Sequence, residues 1–261
     1  MDGKTERGEQ ETVKQNSRQR QQNWCYDDLV AESLKWIRDM NAEHGVTEVA
    51  FSGGKDSIAT LELVRQAGII SHAHYCNTTI DPPELVKFIR AEYPDVEEIK
   101  APPFFKKMET NGFPTHNKRW CCDTQKKRPA KKYSLVFTGI RAQESCARQN
   151  RGRIVGRTHK TFAPIYFWRT EDVWNFIEEN ALPYPDLYNE GFDRVGCVVC
   201  PFVRGVQMMR NRNRWPKYYE AFEKQMTRQC VERGMTEQEI QTGIENYWLG
   251  GCVIPERLRK K

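Results

Sequence analysis

No run of apolar residues in this 261-residue chain is long enough to cross a bilayer, and the opening stretch, MDGKTERGEQETVKQNSRQRQQN, lacks the apolar centre of a secretory signal. The expectation is a cytoplasmic protein with no membrane partner. Residues 1–23 are almost without apolar side chains, too few to offset the entropy of ordering, and are predicted to form a disordered polar tail. Histidine is scarce as well: His44, His72, His74, His116 and His159 fall at no spacing that suits a metal. An even cysteine complement is missing too. Nine cysteines in a chain read as cytoplasmic argue against a disulfide framework and for metal binding or sulfur chemistry.

What is present is a globular composition, 38% hydrophobic and 29% charged, with a formal net charge of +6. The positive excess is concentrated. Residues 118–132, KRWCCDTQKKRPAKK, carry seven basic groups and one acid, and residues 204–217, RGVQMMRNRNRWPK, carry five and none. Each stretch adjoins a cysteine motif. Such clusters suit either a solvated face or a polyanion, a nucleotide or nucleic acid.

Periodicity predicts alternating helices and strands. A helix over 25–44 places Leu29, Leu34, Ile37 and Met40 on one face and stops at Gly45. A buried strand, TEVAFS (47–52), leads through a glycine turn to a helix over 56–67. Further strands are predicted at 71–78, 96–101 and 134–140, with an edge strand at 161–166. Further helices are predicted over 81–93, with Asp81 as N-cap, and over 170–180, capped by Thr170. This alternation predicts an α/β fold, a Rossmann-like parallel sheet flanked by helices, whose ligands bind at the carboxyl ends of the strands. The expected organisation is a nucleotide-binding domain over 24–190 and a mainly helical, cysteine-containing segment over 191–261.

The turn reads FSGGKDS (51–57). Backbone N–H groups at a helix N-terminus, with glycines allowing close approach, bind phosphate by geometry and dipole together. Ser52, Gly53, Gly54, Lys55, Asp56 and Ser57 are therefore candidate phosphate-binding residues. The common nucleoside-triphosphate loop needs G-x-x-x-x-G-K-[S/T]; here Val49 stands where the first glycine belongs and Asp56 follows the lysine. Asp56 either helps hold a metal or favours the helix N-terminus electrostatically.

Cys121 and Cys122 are adjacent, and Cys197 and Cys200 form a C-x-x-C between glycine and proline. Four thiolates suit zinc or an iron–sulfur cluster. Neighbouring side chains chelate one small ion awkwardly, whereas a cubane offers each its own iron, which favours a [4Fe–4S] cluster. Arg141, after a strand end, is suited to gripping phosphate or sulfate oxygens, or to pairing with Glu144.

SGGKDS is a close match to the pyrophosphatase loop S-G-G-x-D-S, and the chain resembles the adenine-nucleotide α-hydrolase superfamily, in the branch of the phosphoadenylyl-sulfate reductases. GIRAQES (139–145) resembles that branch's G-x-R-x-x-E-S segment and brings in Gly139 and Arg141 as nucleotide-binding residues. Pro164, Trp168, Asp172, Val173, Trp174, Leu182, Pro183, Tyr184, Leu187 and Tyr188 match another of its segments. The tandem pair followed by C-x-x-C resembles the cluster pattern of assimilatory adenylyl-sulfate reductases. The resemblance covers about 47–202.

It implies cleavage of ATP between the α and β phosphates, with Mg²⁺ and with Lys55, Asp56 and Arg141 as catalytic residues. Two departures separate the chain from the reductases: its loop is intact, and its end, GGCVIPERLRKK, lacks the E-C-G-L-H neighbours of their nucleophilic cysteine. The combination is similar to the sulfur-inserting members of DNA phosphorothioation systems. The reading is an ATP-dependent sulfurtransferase with a persulfide donor such as a cysteine desulfurase and a nucleic-acid acceptor. The alternatives are reduction of adenylyl sulfate or its 3′-phosphorylated form with Cys252 as nucleophile, and a non-catalytic nucleotide- or nucleic-acid-binding subunit. Cys146 is a candidate sulfur relay or an inert thiol.

Overall fold

The computed structural model describes residues 25–115, 117–127, 133–156, 159–249, 254, 255 and 258. The tail predicted over 1–23, part of the first basic stretch and Cys252 lie outside the described residues.

Helix α1, Tyr26–His44, begins where the Asp28 carboxylate accepts the Cys25 N–H at 3.2 Å and ends at Gly45, whose φ of 73° suits glycine. Its buried stripe is Leu29, Ser33, Ile37 and Met40, so Ser33 takes the place predicted for Leu34. The Ser33 hydroxyl donates to Pro164 O and accepts from Trp168 Nε1, both at 3.0 Å, which lets a polar side chain sit fully buried. Strand β1 (Thr47–Phe51) follows, then α2 (Lys55–Gln66), β2 (Ser71–Asn77), α3 (Pro83–Glu92) and β3 (Glu97–Lys100). Two short helices, α4 (Phe104–Asn111) and α5 (Trp120–Gln125), precede β4 (Leu135–Phe137). Beyond them lie α6 (Cys146–Gln149), β5 (Ile154–Val155), β6 (Lys160–Phe162), α7 (Thr170–Glu179), α8 (Gly205–Arg214), α9 (Pro216–Val231) and α10 (Glu237–Trp248).

The strands form one sheet in the order β3-β2-β1-β4-β6-β5. β1 and β4 pair in parallel, as do β4 and β6, while β5 is antiparallel to β6. The predicted α/β class is the one found. The 160s strand is not the edge, because the two-residue β5 pairs along its far side. Two predicted caps differ as well. Asp81 lies outside α3, whose N-cap is Pro82, and its carboxylate turns inward to accept from Tyr75 Oη and Thr78 N. Thr170 is the first residue of α7 rather than its cap; Asp172 accepts the Arg169 N–H at 2.7 Å instead.

The described chain divides into two compact units. The first comprises 25–51, 55–74 and 133–184; the second comprises 52–54, 75–127 and 185 onward. In the first, α2 packs against α1 and α7, with Val49, Phe51, Ile58, Phe137, Phe162 and Trp168 buried. Each such side chain contributes about 1.5–3 kcal/mol of hydrophobic stabilisation. The second unit is built on an aromatic cluster in which Phe222 meets Phe104, Phe113, Tyr247 and Trp248 at centroid separations of 4.9–6.4 Å. No helix among the described residues is long and apolar enough to cross a membrane.

Candidate functional site

β1 delivers the chain into the glycine turn, and Lys55 opens α2 directly after it. In the second unit, Gly53 has φ +71°, and a Cβ there would lie 2.7 Å from Ile89 Cδ1 and 2.8 Å from Leu85 Cδ1. Both the conformation and the contact demand glycine. A Cβ at Gly54 would meet the Tyr188 hydroxyl at 3.3 Å.

In the first unit, Lys55 is only 6% exposed and its Nζ lies 3.3 Å from Asp56 Oδ2. Arg141, also buried, donates from Nε to Asp56 Oδ1 at 2.6 Å. The carboxylate thus holds one cation on each oxygen. A Cβ at Gly139 would come within 2.6 Å of Asp56 O and 2.9 Å of Ser57 N, so this glycine lets the segment after β4 approach the backbone at the start of α2. That close approach brings Arg141 to Asp56. Arg141 does not pair with Glu144 through its side chain: Glu144 accepts the Arg141 backbone N–H at 2.9 Å and forms its ion pair with Arg148. Lys55, Asp56 and Arg141 are therefore one group, a buried pair of cations around one carboxylate, with net positive charge available for phosphate.

The four cysteines of the motifs all lie in the second unit. Cys121 and Cys122 stand on α5, Cys197 and Cys200 on the loop before α8. Their thiols share one electrostatic environment. A hydrogen bond with Cys122 pushes the Cys121 thiol up, with burial and the charges of Cys122, Cys197 and Cys200 adding to it. The same bond draws Cys122 down, assisted by Lys126 and Arg119. Burial pushes Cys197 up to about 12, opposed by Lys126 and by a Thr78 hydroxyl 3.6 Å from its sulfur. Arg119 places Nη2 3.9 Å from Cys122 Sγ and stacks its guanidinium 4.0 Å from the ring centroid of Phe202, two residues past the C-x-x-C.

The C-x-x-C loop is anchored through Val198, whose N–H donates to Ile80 O at 2.8 Å and whose carbonyl accepts from Asn211 Nδ2 and Tyr219 Oη. Asp81 fixes the segment beneath it by accepting from Tyr75 Oη at 2.8 Å and Thr78 N at 3.0 Å. Among the described residues no three histidine, cysteine, aspartate or glutamate side chains converge as ligands of one ion. The Lys126 ammonium is held protonated chiefly by the charge of Cys197, and Cys121, Cys122, Cys197 and Cys200 are the candidate soft donors of this unit.

The second basic stretch is less free than its composition suggests. Arg210 donates to Gly191 O, Arg212 pairs with Glu223, and Arg214 pairs with Glu84 and Glu190. Of the remaining candidates, Cys146 is exposed, on α6 in the first unit. Sequence reasoning missed Thr78 and Asp81, which border the C-x-x-C loop, and Gln143, which contacts Arg141. The only sequence signal for the first two was the polar run NTTID ahead of a double proline.

A glycine turn between a strand and a helix, in a mostly parallel six-stranded sheet, defines an adenine-nucleotide α-hydrolase-like fold. Candida glabrata FMN adenylyltransferase, solved with FAD and inorganic pyrophosphate, shares it at a TM-score of 0.51, with 12% identity and 72% of each chain covered. The chain belongs to the phosphoadenosine phosphosulfate reductase domain family, which matches residues 47–203. It is 31% identical over 217 residues to the Uncharacterized protein MJ0066 of Methanocaldococcus jannaschii, covering 75% of this chain and 44% of that protein. It is 22% identical over 182 residues to adenosine 5′-phosphosulfate reductase of Bacillus cereus, covering 64% and 77%. The chain spans about half the length of the first curated relatives it matches.

Proposed function

We propose that the protein is an ATP-dependent sulfurtransferase. An acceptor oxygen attacks the α-phosphorus of ATP, the bond to pyrophosphate breaks, and pyrophosphate leaves. The terminal sulfur of a persulfide, supplied by a donor such as a cysteine desulfurase, then displaces AMP, and a thiol reductant cleaves the remaining sulfur–sulfur bond. Adenylation converts a poor oxygen leaving group into AMP, a good one.

The observation that carries this reading is the intact Ser-Gly-Gly-x-Asp-Ser loop running into α2, with Lys55, Asp56 and Arg141 grouped at that helix's start. Lys55 and Arg141 offset charge as it gathers on the departing pyrophosphate, and Asp56 holds both in place. Mg²⁺ arrives with ATP as part of the substrate. Cys121, Cys122, Cys197 and Cys200 would hold a [4Fe–4S] cluster, which when bound supplies a soft centre for sulfur or electrons. Lys118, Arg119 and Lys127, all exposed, would supply positive charge toward a nucleic-acid acceptor.

Reduction of adenylyl sulfate is the second reading, favoured by the similarity to adenosine 5′-phosphosulfate reductases. It uses an already activated nucleotide and needs a nucleophilic thiol, for which Cys252 is the sequence candidate. The test is oxygen-free purification with iron and sulfide analysis, then parallel incubations with a thiol reductant, one with ATP, a nucleic-acid acceptor and a persulfide donor, the other with adenylyl sulfate. The sulfurtransferase reading expects iron, AMP and pyrophosphate from ATP. Sulfite from adenylyl sulfate, lost in Cys252→Ser, with ATP left intact, would establish the reductase instead.

A further inference from the structure

Arg141 is held by more than its carboxylate. Its Nη1 donates to Gln143 Oε1 at 3.0 Å, to Thr170 Oγ1 at 3.3 Å and to Trp168 O at 3.5 Å. The same Gln143 oxygen accepts the backbone N–H of Thr170, the first residue of α7, at 2.9 Å, and the Thr170 hydroxyl at 3.3 Å. A guanidinium and a backbone amide can only donate, so the atom they share is the amide oxygen. Gln143 therefore ties the turn after β4 to the start of α7 and fixes the plane of the guanidinium between them. Nε is committed to Asp56 at 2.6 Å, and among the described residues no hydrogen bond engages Nη2.

We infer that Gln143 is a positioning residue: a neutral acceptor that sets the Arg141 guanidinium so that Nη2 is left for an anionic group of the nucleotide. The inference rests on the nucleotide-binding reading of Arg141 given above. Neutrality is the point of the glutamine. Arg141 is buried and already offset by Asp56, so a second carboxylate beside Nη1 would cancel its remaining attraction for phosphate. An apolar side chain would instead leave Nη1 and the Thr170 N–H short of an acceptor. Gln143 itself is exposed, and no apolar periodicity marks it in the sequence.

The test compares Gln143→Glu and Gln143→Leu with the unaltered protein, by calorimetric titration with Mg-ATP and separately with adenylyl sulfate, alongside thermal unfolding. A glutamate accepts the same three hydrogen bonds, so Gln143→Glu keeps the unfolding midpoint. Its affinity for whichever nucleotide the unaltered protein binds falls about tenfold, equivalent to about 1.4 kcal/mol, with a flatter dependence on salt. Gln143→Leu lowers both midpoint and affinity. If Gln143→Glu binds the nucleotide within about twofold of the unaltered protein, the glutamine is only a tether and the inference fails alone. If the unaltered protein binds neither nucleotide, the functional reading fails and takes this inference with it.

Discussion

The two units carry two reactive groups of opposite electrostatic character. In the first, Lys55, Asp56 and Arg141 complete one another: each carboxylate oxygen has a cation, and the excess positive charge is what an incoming phosphate would neutralise. In the second, a hydrogen bond between Cys121 and Cys122 raises one thiol and lowers the other, burial raises Cys197, and Lys126 and Arg119 are the nearby cations. The first group is assembled by opposite charges and needs no ligand to be stable. The second gathers groups that repel when ionised, an arrangement that a bound cation would relieve. This difference separates a candidate anion-binding site from a candidate cluster site, and each has its own test.

The largest effect is expected at Lys55. Lys55→Ala removes a buried cation from the developing pyrophosphate charge and should slow pyrophosphate release by about 10²–10³-fold, measured by coupled pyrophosphate detection. Cys197→Ser sharpens the contrast from the other side: purified without oxygen, it should lose iron and sulfide by elemental analysis and retain ATP binding by calorimetry. Retained iron would show that the four sulfurs are not one ligand set.

Gly139→Ala places a methyl group 2.6 Å from Asp56 O, against backbone that cannot swing away. It should destabilise the protein by about 1–3 kcal/mol in urea unfolding and weaken ATP binding as Arg141 is displaced from Asp56. Tyr75→Phe removes a buried hydrogen bond to the Asp81 carboxylate and should cost about 1.5–3 kcal/mol in the same measurement, without altering nucleotide affinity.

The smallest effect is at the surface. Arg90, donating to Glu98 at 2.8 and 2.9 Å, holds that carboxyl down to about 2 from its ordinary value of about 4.5. A depressed carboxyl stabilises the fold above its unfolded value and loses that contribution as pH falls toward the folded one. Glu98→Gln should therefore lower stability slightly at neutral pH, with the difference shrinking as pH falls through about 2, read from unfolding midpoints across that range.

The glycine turn and its flanking strand and helix were legible because the signal is local: an apolar strand, two glycines and an amphipathic helix in sequence. The C-x-x-C and the tandem pair were legible as motifs. What sequence did not show depends on contacts between distant segments. Asp81 has the composition of an N-cap, yet Tyr75 and Thr78 offer it two buried donors, and it turns inward to take them. Leu34 fits the helical period, but Pro164 and Trp168 satisfy Ser33, and the buried stripe shifts by one residue. β5 has only two residues and carries no periodicity to detect, so β6 was read as an edge. The arginines of α8 read as a solvated face or a polyanion site, but all three have partners contributed by other segments. Gly139 was read as a nucleotide contact; what the structure shows is its packing against Asp56 and Ser57, where a Cβ would not fit.

The most direct test of the central claim is ³¹P NMR of ATP incubated with Mg²⁺, the oxygen-free protein, a nucleic-acid acceptor, a persulfide donor and a thiol reductant, with Lys55→Ala run in parallel. The account predicts AMP and pyrophosphate signals that grow together with the unaltered protein and are nearly absent with the variant. ATP that stays whole, or that yields ADP and orthophosphate, would contradict it.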